Sequence, residues 1–331
     1  MVEDKTQPLK TDTAPRHEFL DQCRGYAIFG MIFVNTLGLF DRMPWILKHH
    51  HVGFSYADTI APLFIFVVGM SFRLSFSKTQ ARFGLVHARK RALRRNVILM
   101  ILGLVFGGFH LRVAVWDALM DIGASGMLAL PVMHCAARTR AMAAFAFLGL
   151  YQALYSGAGY GDWVMANSIN GGPLGPLSWV FILLMGTLAV DLIDLTRQNR
   201  MMMRYGCWAI VLSLLGWLLR AQWYDVKTLW PFSQFGMSAP YPLYASGLCF
   251  ATVLGFYFLR ARLNLHVPFL TTLGRNPLVL YMMQGALVLI VRAVIPATIS
   301  ITASLAWFFV VFGLCYCAAK YLENKGRYIK I

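Results

Sequence analysis

Residues 57–76 read ADTIAPLFIFVVGMSFRLSF, a stretch of 20 residues with one acidic and one basic side chain. A helix of this length and composition can cross the hydrocarbon core of a bilayer. The whole chain has the same character, since 58% of its 331 residues are hydrophobic and only 13% are charged. This composition excludes a disordered chain and a soluble globular domain, which could not bury so much apolar surface. The sequence therefore predicts an all-α integral membrane protein.

Ten segments have the length and composition of transmembrane helices. They are residues 23–40, 57–76, 94–113, 118–136, 141–156, 174–192, 205–222, 240–259, 276–296 and 299–319. We therefore predict a polytopic membrane helix bundle of about ten transmembrane helices in residues 23–322. A polar tail of residues 1–22 precedes it and a tail of residues 323–331 follows it. Because the first tail is polar and mixed in charge, we expect no cleavable signal peptide.

The net charge of +16 is distributed unevenly along the chain. Lys and Arg residues are retained in cytoplasmic loops of membrane proteins. If both termini are inside, the inner segments contain 24 of the 30 Lys and Arg residues and the outer segments contain six. The asymmetry predicts an N-in/C-in, multi-pass protein. Because the N-terminal tail is short and no large outer domain is predicted, we assign the protein to the plasma (inner) membrane. The asymmetry also explains the basic charge without a nucleic-acid partner.

The six cysteines give no sign of a disulfide framework. Most of them lie inside apolar segments, where cysteine behaves as a small hydrophobic residue. Their spacing matches no zinc motif. We therefore expect no metal site and no permanently bound cofactor.

Polar side chains in or beside the membrane segments are candidates for function, because burying them in hydrocarbon is costly. Asn35, in the first segment, either forms a hydrogen bond between helices or belongs to a site. Asp58 opens the second segment, directly after a loop that contains His49, His50 and His51. Asp58 alone would be interpreted as a helix cap. A carboxylate beside an imidazole also fixes the tautomer of the ring and raises its basicity, so this loop favours acid–base chemistry over zinc binding.

A dense basic cluster occupies residues 89–95 and includes Arg91, Arg94 and Arg95. It allows two interpretations. The arginines either contact anionic lipids as a solvated face, or their guanidinium groups bind phosphate at the cytoplasmic mouth of the bundle.

Two carboxylates at the start of the fourth segment also allow two interpretations. Asp117 and Asp121 are one helical turn apart and therefore share a face. They either line a cavity or stabilise the start of the helix through its dipole.

The early part of the chain carries a recognisable pattern. Residues 19–28 read FLDQCRGYAI and residues 31–35 read MIFVN. This leucine–aspartate–x–x–arginine–glycine start, with a hydrophobic run ending in asparagine, resembles the heparan-alpha-glucosaminide N-acetyltransferase family. The resemblance continues through Lys48-His49, Gly53, Ala57-Asp58, residues 62–66 and Gly69, and more weakly through Arg94-Arg95, Gly103 and residues 173–186, 231–241 and 273–281.

The resemblance implies an enzyme that takes an acetyl group from cytoplasmic acetyl-CoA, its co-substrate. The group passes to an amino or hydroxyl group of a sugar or glycan on the far side of the membrane. By position, His49 would be the catalytic general base, with Asn35 and Asp58 as its polar partners. His50 and His51 are alternatives, because the histidine-to-glycine spacing is one residue shorter than in the family. A transient acetyl-histidine is an alternative mechanism.

Four arginines are the predicted binding residues for the phosphates of acetyl-CoA. Arg24 belongs to the matched opening motif, and Arg95 corresponds to the arginine that opens the next span of the family. Arg91 and Arg94 lie beside Arg95 in the basic cluster. All four fall on the predicted cytoplasmic side.

The chain departs from the family pattern in three places. The family often has glutamine–arginine where Met120-Asp121 stand, a histidine at the position of Gln284, and a lysine near the place of Gln234. These differences concern the acceptor site more than the acyl-CoA side.

Two other functions fit a multispan chain. One is a transporter of a small solute or glycan precursor, although the two halves of the chain show no similarity. The other is a non-catalytic partner subunit of a membrane glycan machine. For the enzyme, the expected partners are acetyl-CoA, a glycan or amino-sugar acceptor and the lipid bilayer, and a homodimer is one possible assembly.

Overall fold

The computed structural model describes residues 18–110, 115–220 and 230–328. These residues form helices and no β-strand. The helices are α1 (Glu18–Leu37), α2 (Ala57–Phe106), α3 (Ala118–Ala129), α4 (Ala137–Gly157), α5 (Tyr160–Asn167), α6 (Pro176–Asp191), α7 (Gln198–Leu218), α8 (Pro240–Arg262), α9 (Pro268–Arg275), α10 (Pro277–Val294) and α11 (Ile301–Asn324). The all-α prediction is therefore confirmed. Residues 1–17 and 329–331 of the predicted tails lie outside the described residues, as do the ends of segments 94–113 and 205–222.

Fewer helices than the ten predicted segments meet strict limits of length and hydropathy for a membrane span. Among the described residues, six helices are long and apolar enough to cross a bilayer, and a seventh span results if α4 and α5 are counted as one. These two helices are bent by 88° at the break between them. α3 is apolar but shorter. Each predicted segment overlaps a helix, and the count of ten stays a prediction.

The helix boundaries differ from the prediction in two places. α1 begins at Glu18, five residues before the predicted span. α2 continues through residues 77–93, which the sequence suggested as an inner loop. A straight helix of 50 residues would be about 75 Å long, but α2 is broken at Gly84, whose φ of 83° is in the left-handed region. Because glycine adopts this conformation without a Cβ penalty, α2 forms two arms, residues 57–83 and 85–106.

α6 is the central helix of the bundle. Its residues from Ser178 to Ala189 are buried on every face, as expected of a helix that is hydrophobic all round. α6 packs closely on the first arm of α2, because glycines occupy the contact. A Cβ atom on Gly69 would overlap the carbonyl group of Leu183, and one on Gly186 would overlap that of Phe66. Small residues permit such close approach between membrane helices.

The outer helices present apolar side chains to the surroundings. Exposed large hydrophobic residues include Leu214 on α7, Ile290 on α10 and Phe309 on α11. A soluble protein rarely exposes apolar patches of this kind. The surface of the bundle is therefore that of a membrane protein.

The helices bring two different sets of polar residues to the two ends of the bundle. α1 runs from Arg24 at one end to Asn35 at the other. The first arm of α2 returns from Asp58, and the second arm brings the chain back again to Gly103, which faces the same cavity as Asn35. The loop with the three histidines and the basic cluster of residues 89–95 consequently lie at opposite ends.

Candidate active site

The loop between α1 and α2 places an imidazole against a buried carboxylate. His49 Nδ1 lies 2.8 Å from Asp58 Oδ1. The His49 side chain is 37% exposed, whereas that of Asp58 is fully buried. Because the carboxylate accepts, Nδ1 carries the proton in the neutral ring, and Nε2 is left with a free lone pair. The pair therefore has the geometry of a histidine base with an orienting carboxylate.

Asp58 is itself held in place from three sides. Its Oδ2 atom accepts hydrogen bonds from the backbone N–H and the hydroxyl of Ser55, at 2.8 and 2.9 Å. The Tyr241 hydroxyl donates to the backbone carbonyl of Asp58 at 2.8 Å. The bond from the Ser55 N–H resembles the backward bond of a capping box. Asp58 thus stabilises the start of α2 and orients His49 at the same time.

The other two histidines make different contacts. His50 Nε2 lies 2.9 Å from the backbone carbonyl oxygen of Trp45, and the two rings stack. The His51 ring stacks on Phe235. Of the three histidines, His49 is the one whose ring nitrogen contacts Asp58.

Asn35 combines a structural contact with a position in the site. Its Nδ2 atom donates to Gln284 Oε1 at 3.3 Å, which joins α1 to α10. The Asn35 side chain also lines the same cavities as His49. Since an amide nitrogen carries two hydrogens, Asn35 retains a donor for a ligand.

Two adjoining cavities meet at His49. The smaller one, about 80 Å³, is called the polar cavity and is lined by Asn35, His49, Asp117, Asp121, Asn170, Gln234 and Tyr281 among others. The larger one, about 520 Å³, is called the entrance cavity and is lined by Lys48, Phe106, Gln284 and Leu289 among others. Asn35, His49, Asp117 and Tyr281 line both. A group bound at this junction would be in contact with the imidazole.

The polar cavity contains residues that the sequence only partly indicated. Asp117 accepts a hydrogen bond from the Tyr281 hydroxyl at 2.6 Å, and Asp121 is fully buried. The pair thus lines a cavity at the start of α3, which was one of its two interpretations. Tyr281 was not singled out as a site residue, because one tyrosine near a span has no distinctive spacing.

The three departures from the family pattern come together in space. Asp121 and Gln234 line the polar cavity, and Gln284 lines the entrance cavity. They are far apart in the sequence, on α3, on the segment before α8 and on α10. The differences are thus concentrated around the histidine.

A third cavity, of about 620 Å³, lies toward the opposite end of the bundle and is called the basic cavity. Five cationic side chains line it: Arg24, Lys78, Arg91, Arg95 and Arg275. The cavity brings three of the predicted phosphate-binding arginines together. Arg94 is exposed and does not line it. Lys78 and Arg275 are additions, which their positions in the sequence did not distinguish from other inner-side cations.

The cations of the basic cavity are positioned by neighbouring side chains. Arg24 donates to Ser71 Oγ and to Asp21 Oδ1, each at 2.7 Å. The Arg95 guanidinium lies 5.5 Å from the centre of the Phe72 ring, which is cation–π geometry. A polyphosphate would find planar, preoriented donors here.

The basic cavity approaches the entrance cavity in the middle of the bundle. Leu119 of α3 lines both of them. A long, narrow ligand could therefore place its charged end among the arginines and its other end beside Asn35 and His49. Among the described residues, no group of three or more His, Cys, Asp or Glu side chains is arranged to hold a metal ion.

Comparison with known protein families gives one match. A family model described as heparan-alpha-glucosaminide N-acetyltransferase, catalytic, matches residues 16–216. The matched region contains α1 to α6 and all nine predicted site residues. A search among curated proteins found no match.

Proposed function

Because the chain belongs to the heparan-alpha-glucosaminide N-acetyltransferase family, we propose that it is a membrane-embedded acetyltransferase that uses cytoplasmic acetyl-CoA. The acetyl group passes to an amino or hydroxyl group of an extracytoplasmic sugar or glycan. The observation that carries this proposal is the His49–Asp58 pair at a cavity, with a basic cavity toward the opposite end of the same bundle.

The basic cavity is the proposed site for the nucleotide end of acetyl-CoA. Its arginines pair with phosphate oxygens through charge-assisted, often bidentate, hydrogen bonds. The flexible arm of the donor then runs past Leu119 into the entrance cavity. Its thioester comes to rest beside Asn35 and His49.

His49 is the proposed general base. Its Nε2 atom takes the proton of the attacking amine or hydroxyl, and Asp58 stabilises the imidazolium that forms. General base catalysis of this kind contributes about 10²–10⁴-fold to a rate. The free N–H of Asn35 donates to the carbonyl oxygen of the thioester as negative charge develops there. The protonated imidazole then returns its proton to the departing thiolate.

The distribution of basic residues supports the proposed orientation of the protein. Lys and Arg are enriched on the side of both termini and of the basic cluster, which the positive-inside rule assigns to the cytoplasm. The basic cavity then opens to cytoplasmic acetyl-CoA, and His49 lies toward the outer face of the inner membrane. This arrangement transfers an acetyl group across the bilayer without moving the whole donor.

The proposal is tested with purified, full-length protein in lipid nanodiscs and acetyl-CoA labelled in the acetyl group. We expect labelled product with a panel of amino sugars and neutral glycosides. His49→Ala should abolish transfer, and His50→Ala, which leaves the Asp58 contact intact, should retain it. Equal activity of the two variants would contradict the assignment of His49. Solute uptake by proteoliposomes without any acetyl transfer would establish a transporter instead.

A further inference from the structure

The end of the chain forms part of the basic cavity. Tyr328, which follows α11, lines this cavity together with residues of α1, α2, α3 and the junction of α9 and α10. The family model matches residues 16–216, so this part of the cavity lies outside the matched region. It also falls in the segment 323–331, which the sequence suggested only as a tail.

The backbone beside Tyr328 is held in place by hydrogen bonds. Asn276, at the junction of α9 and α10, is buried, and its Nδ2 atom donates to the backbone carbonyl of Arg327 at 3.2 Å. The Arg327 N–H donates to the carbonyl oxygen of Leu322 at 2.9 Å. Gly326, with a φ of 62°, supplies the left-handed residue of this Schellman motif. The chain therefore turns back from α11 toward the cavity.

A second set of contacts joins α11 to a cation of the same cavity. Arg275, which lines the cavity, forms an ion pair with Glu323 of α11. Glu323 also accepts a hydrogen bond from Thr272 Oγ1 at 2.9 Å. Both of these partners lie on α9. The chain end and the Arg275 guanidinium are therefore positioned together.

Tyr328 differs from the other aromatic residues that line the cavity. Phe64, Phe72 and Phe76 are all buried, whereas Tyr328 is 38% exposed. The Phe72 and Phe76 rings meet edge to face. The Phe64 ring stacks on Tyr281. The three phenylalanines thus belong to the core, and Tyr328 supplies the exposed ring among the described residues of this cavity.

The exposure of its lining gives the basic cavity a direction. Lys78, Arg91 and Tyr328 are exposed, whereas Arg95 is partly buried. Leu119, which also lines the entrance cavity, is buried. A ligand that reaches from solvent to the entrance cavity therefore has the ring and the exposed cations around its outer end and Leu119 beside its inner part.

Acetyl-CoA presents its chemical groups in the matching order. A purine base and a phosphorylated ribose form one end, a pyrophosphate follows, and a thin arm carries the thioester at the other end. With the thioester beside His49 and the phosphates among the arginines, the base lies at the exposed end of the cavity. Aromatic side chains bind such bases by stacking, because every base has a π-face.

We propose that Tyr328 forms a base subsite of the donor site, in which its ring stacks on the purine of acetyl-CoA. This inference rests on the proposed use of acetyl-CoA. It makes the chain end a determinant of donor specificity, because a donor without a base keeps the arm and the thioester but loses this contact. Tyr328 touches no reacting atom, so it acts on donor binding and not on the chemical step.

The test measures the binding of two donors to the full-length protein in nanodiscs, by displacement of labelled acetyl-CoA. The donors are acetyl-CoA and acetyl-phosphopantetheine, which has the same arm and thioester but no base. Tyr328→Ala should raise the Kd for acetyl-CoA roughly 5- to 100-fold, the value of one stacked base. The Kd for acetyl-phosphopantetheine should not change. Tyr328→Trp should retain the binding of acetyl-CoA, whereas Tyr328→Leu, which is apolar but has no ring, should lose it as Tyr328→Ala does.

Tyr321→Ala is the matched control, because Tyr321 is an exposed tyrosine of α11 that does not line the basic cavity. This variant removes the same side chain near the same end of the protein and should bind both donors as the wild type does. Kinetics then separate binding from chemistry. In Tyr328→Ala the KM for acetyl-CoA should rise, while kcat at saturating donor should stay the same.

Three results would overturn the inference. An unchanged Kd for acetyl-CoA in Tyr328→Ala would indicate an aromatic anchor at the membrane interface. An equal rise for both donors would mean that the chain end only shapes the cavity. Wild-type affinity in Tyr328→Leu would mean that apolar bulk is sufficient. If the wild type itself binds no acetyl-CoA, the proposed function fails and this inference fails with it.

Discussion

Arg24 and Asn35 lie on one helix, 11 residues apart, and line cavities toward opposite ends of the bundle. At a rise of about 1.5 Å per residue their backbones are about 17 Å apart. α1 thus determines the distance between the basic cavity and the His49 imidazole. A donor that uses both must be long and thin, with its charge at one end.

Removing the orienting carboxylate should disable the base. Asp58→Asn presents an amide to His49 Nδ1, so the ring no longer has one preferred tautomer. We expect kcat to fall by about 10²–10⁴-fold with little change in the affinity for acetyl-CoA, measured by transfer of label and by equilibrium binding. Asp41→Asn, a change at an exposed residue of the same loop, should leave both kcat and the affinity for acetyl-CoA unchanged. A normal kcat for Asp58→Asn would mean that the pair only stabilises the start of α2.

Substitutions of Asn35 and of its hydrogen-bond partner Gln284 can distinguish a structural role of Asn35 from a catalytic one. If Asn35 only joins α1 to α10, Asn35→Ala and Gln284→Ala should have equal effects, because each breaks the same hydrogen bond. If Asn35 stabilises the oxyanion, its loss should lower kcat by about 10²–10³-fold, and Gln284→Ala should lower it far less. The measurements are kcat at saturating acetyl-CoA and the unfolding temperature of each variant.

The arginines of the basic cluster should differ in their contribution to donor binding. Arg95→Ala removes a cation from the wall of the basic cavity, and the dissociation constant for acetyl-CoA should rise about 10- to 100-fold. Arg94→Ala is the control, because Arg94 is exposed and outside that wall. Isothermal titration at two salt concentrations measures both. Equal losses would favour a diffuse, lipid-like electrostatic role for the cluster.

The stability of the protein should depend on the glycines at the contact between α2 and α6. Gly186→Ala inserts a methyl group into the carbonyl group of Phe66, and overpacking of this kind costs about 1–3 kcal/mol. Gly149→Ala is the matched control, because nothing lies within 4 Å of a Cβ atom there and alanine favours a helix. Thermal unfolding in nanodiscs should show a lower transition temperature for Gly186→Ala alone.

Much of the fold and part of the site could be predicted from the sequence. Apolar segments are long and repeat along the chain, so every predicted span overlaps a helix. The His49–Asp58 contact could be predicted because the two residues are close in the sequence. The polar cavity could not be predicted, because tertiary packing brings Gln234 and Tyr281 to it from distant segments of the chain. Arg94 and Arg95 are neighbours in the sequence, yet the helical rotation between them places only Arg95 in the basic cavity.

The break at Gly84 has a consequence for the shape of the basic cavity. Residues between 71 and 79 of one arm and between 88 and 99 of the other both line the basic cavity. The arrangement of these two arms around the cavity therefore depends on the backbone torsion angles of Gly84, an exposed glycine at which any L-residue would be strained. We expect replacement of Gly84 to change the shape of the basic cavity, although Gly84 itself does not line it.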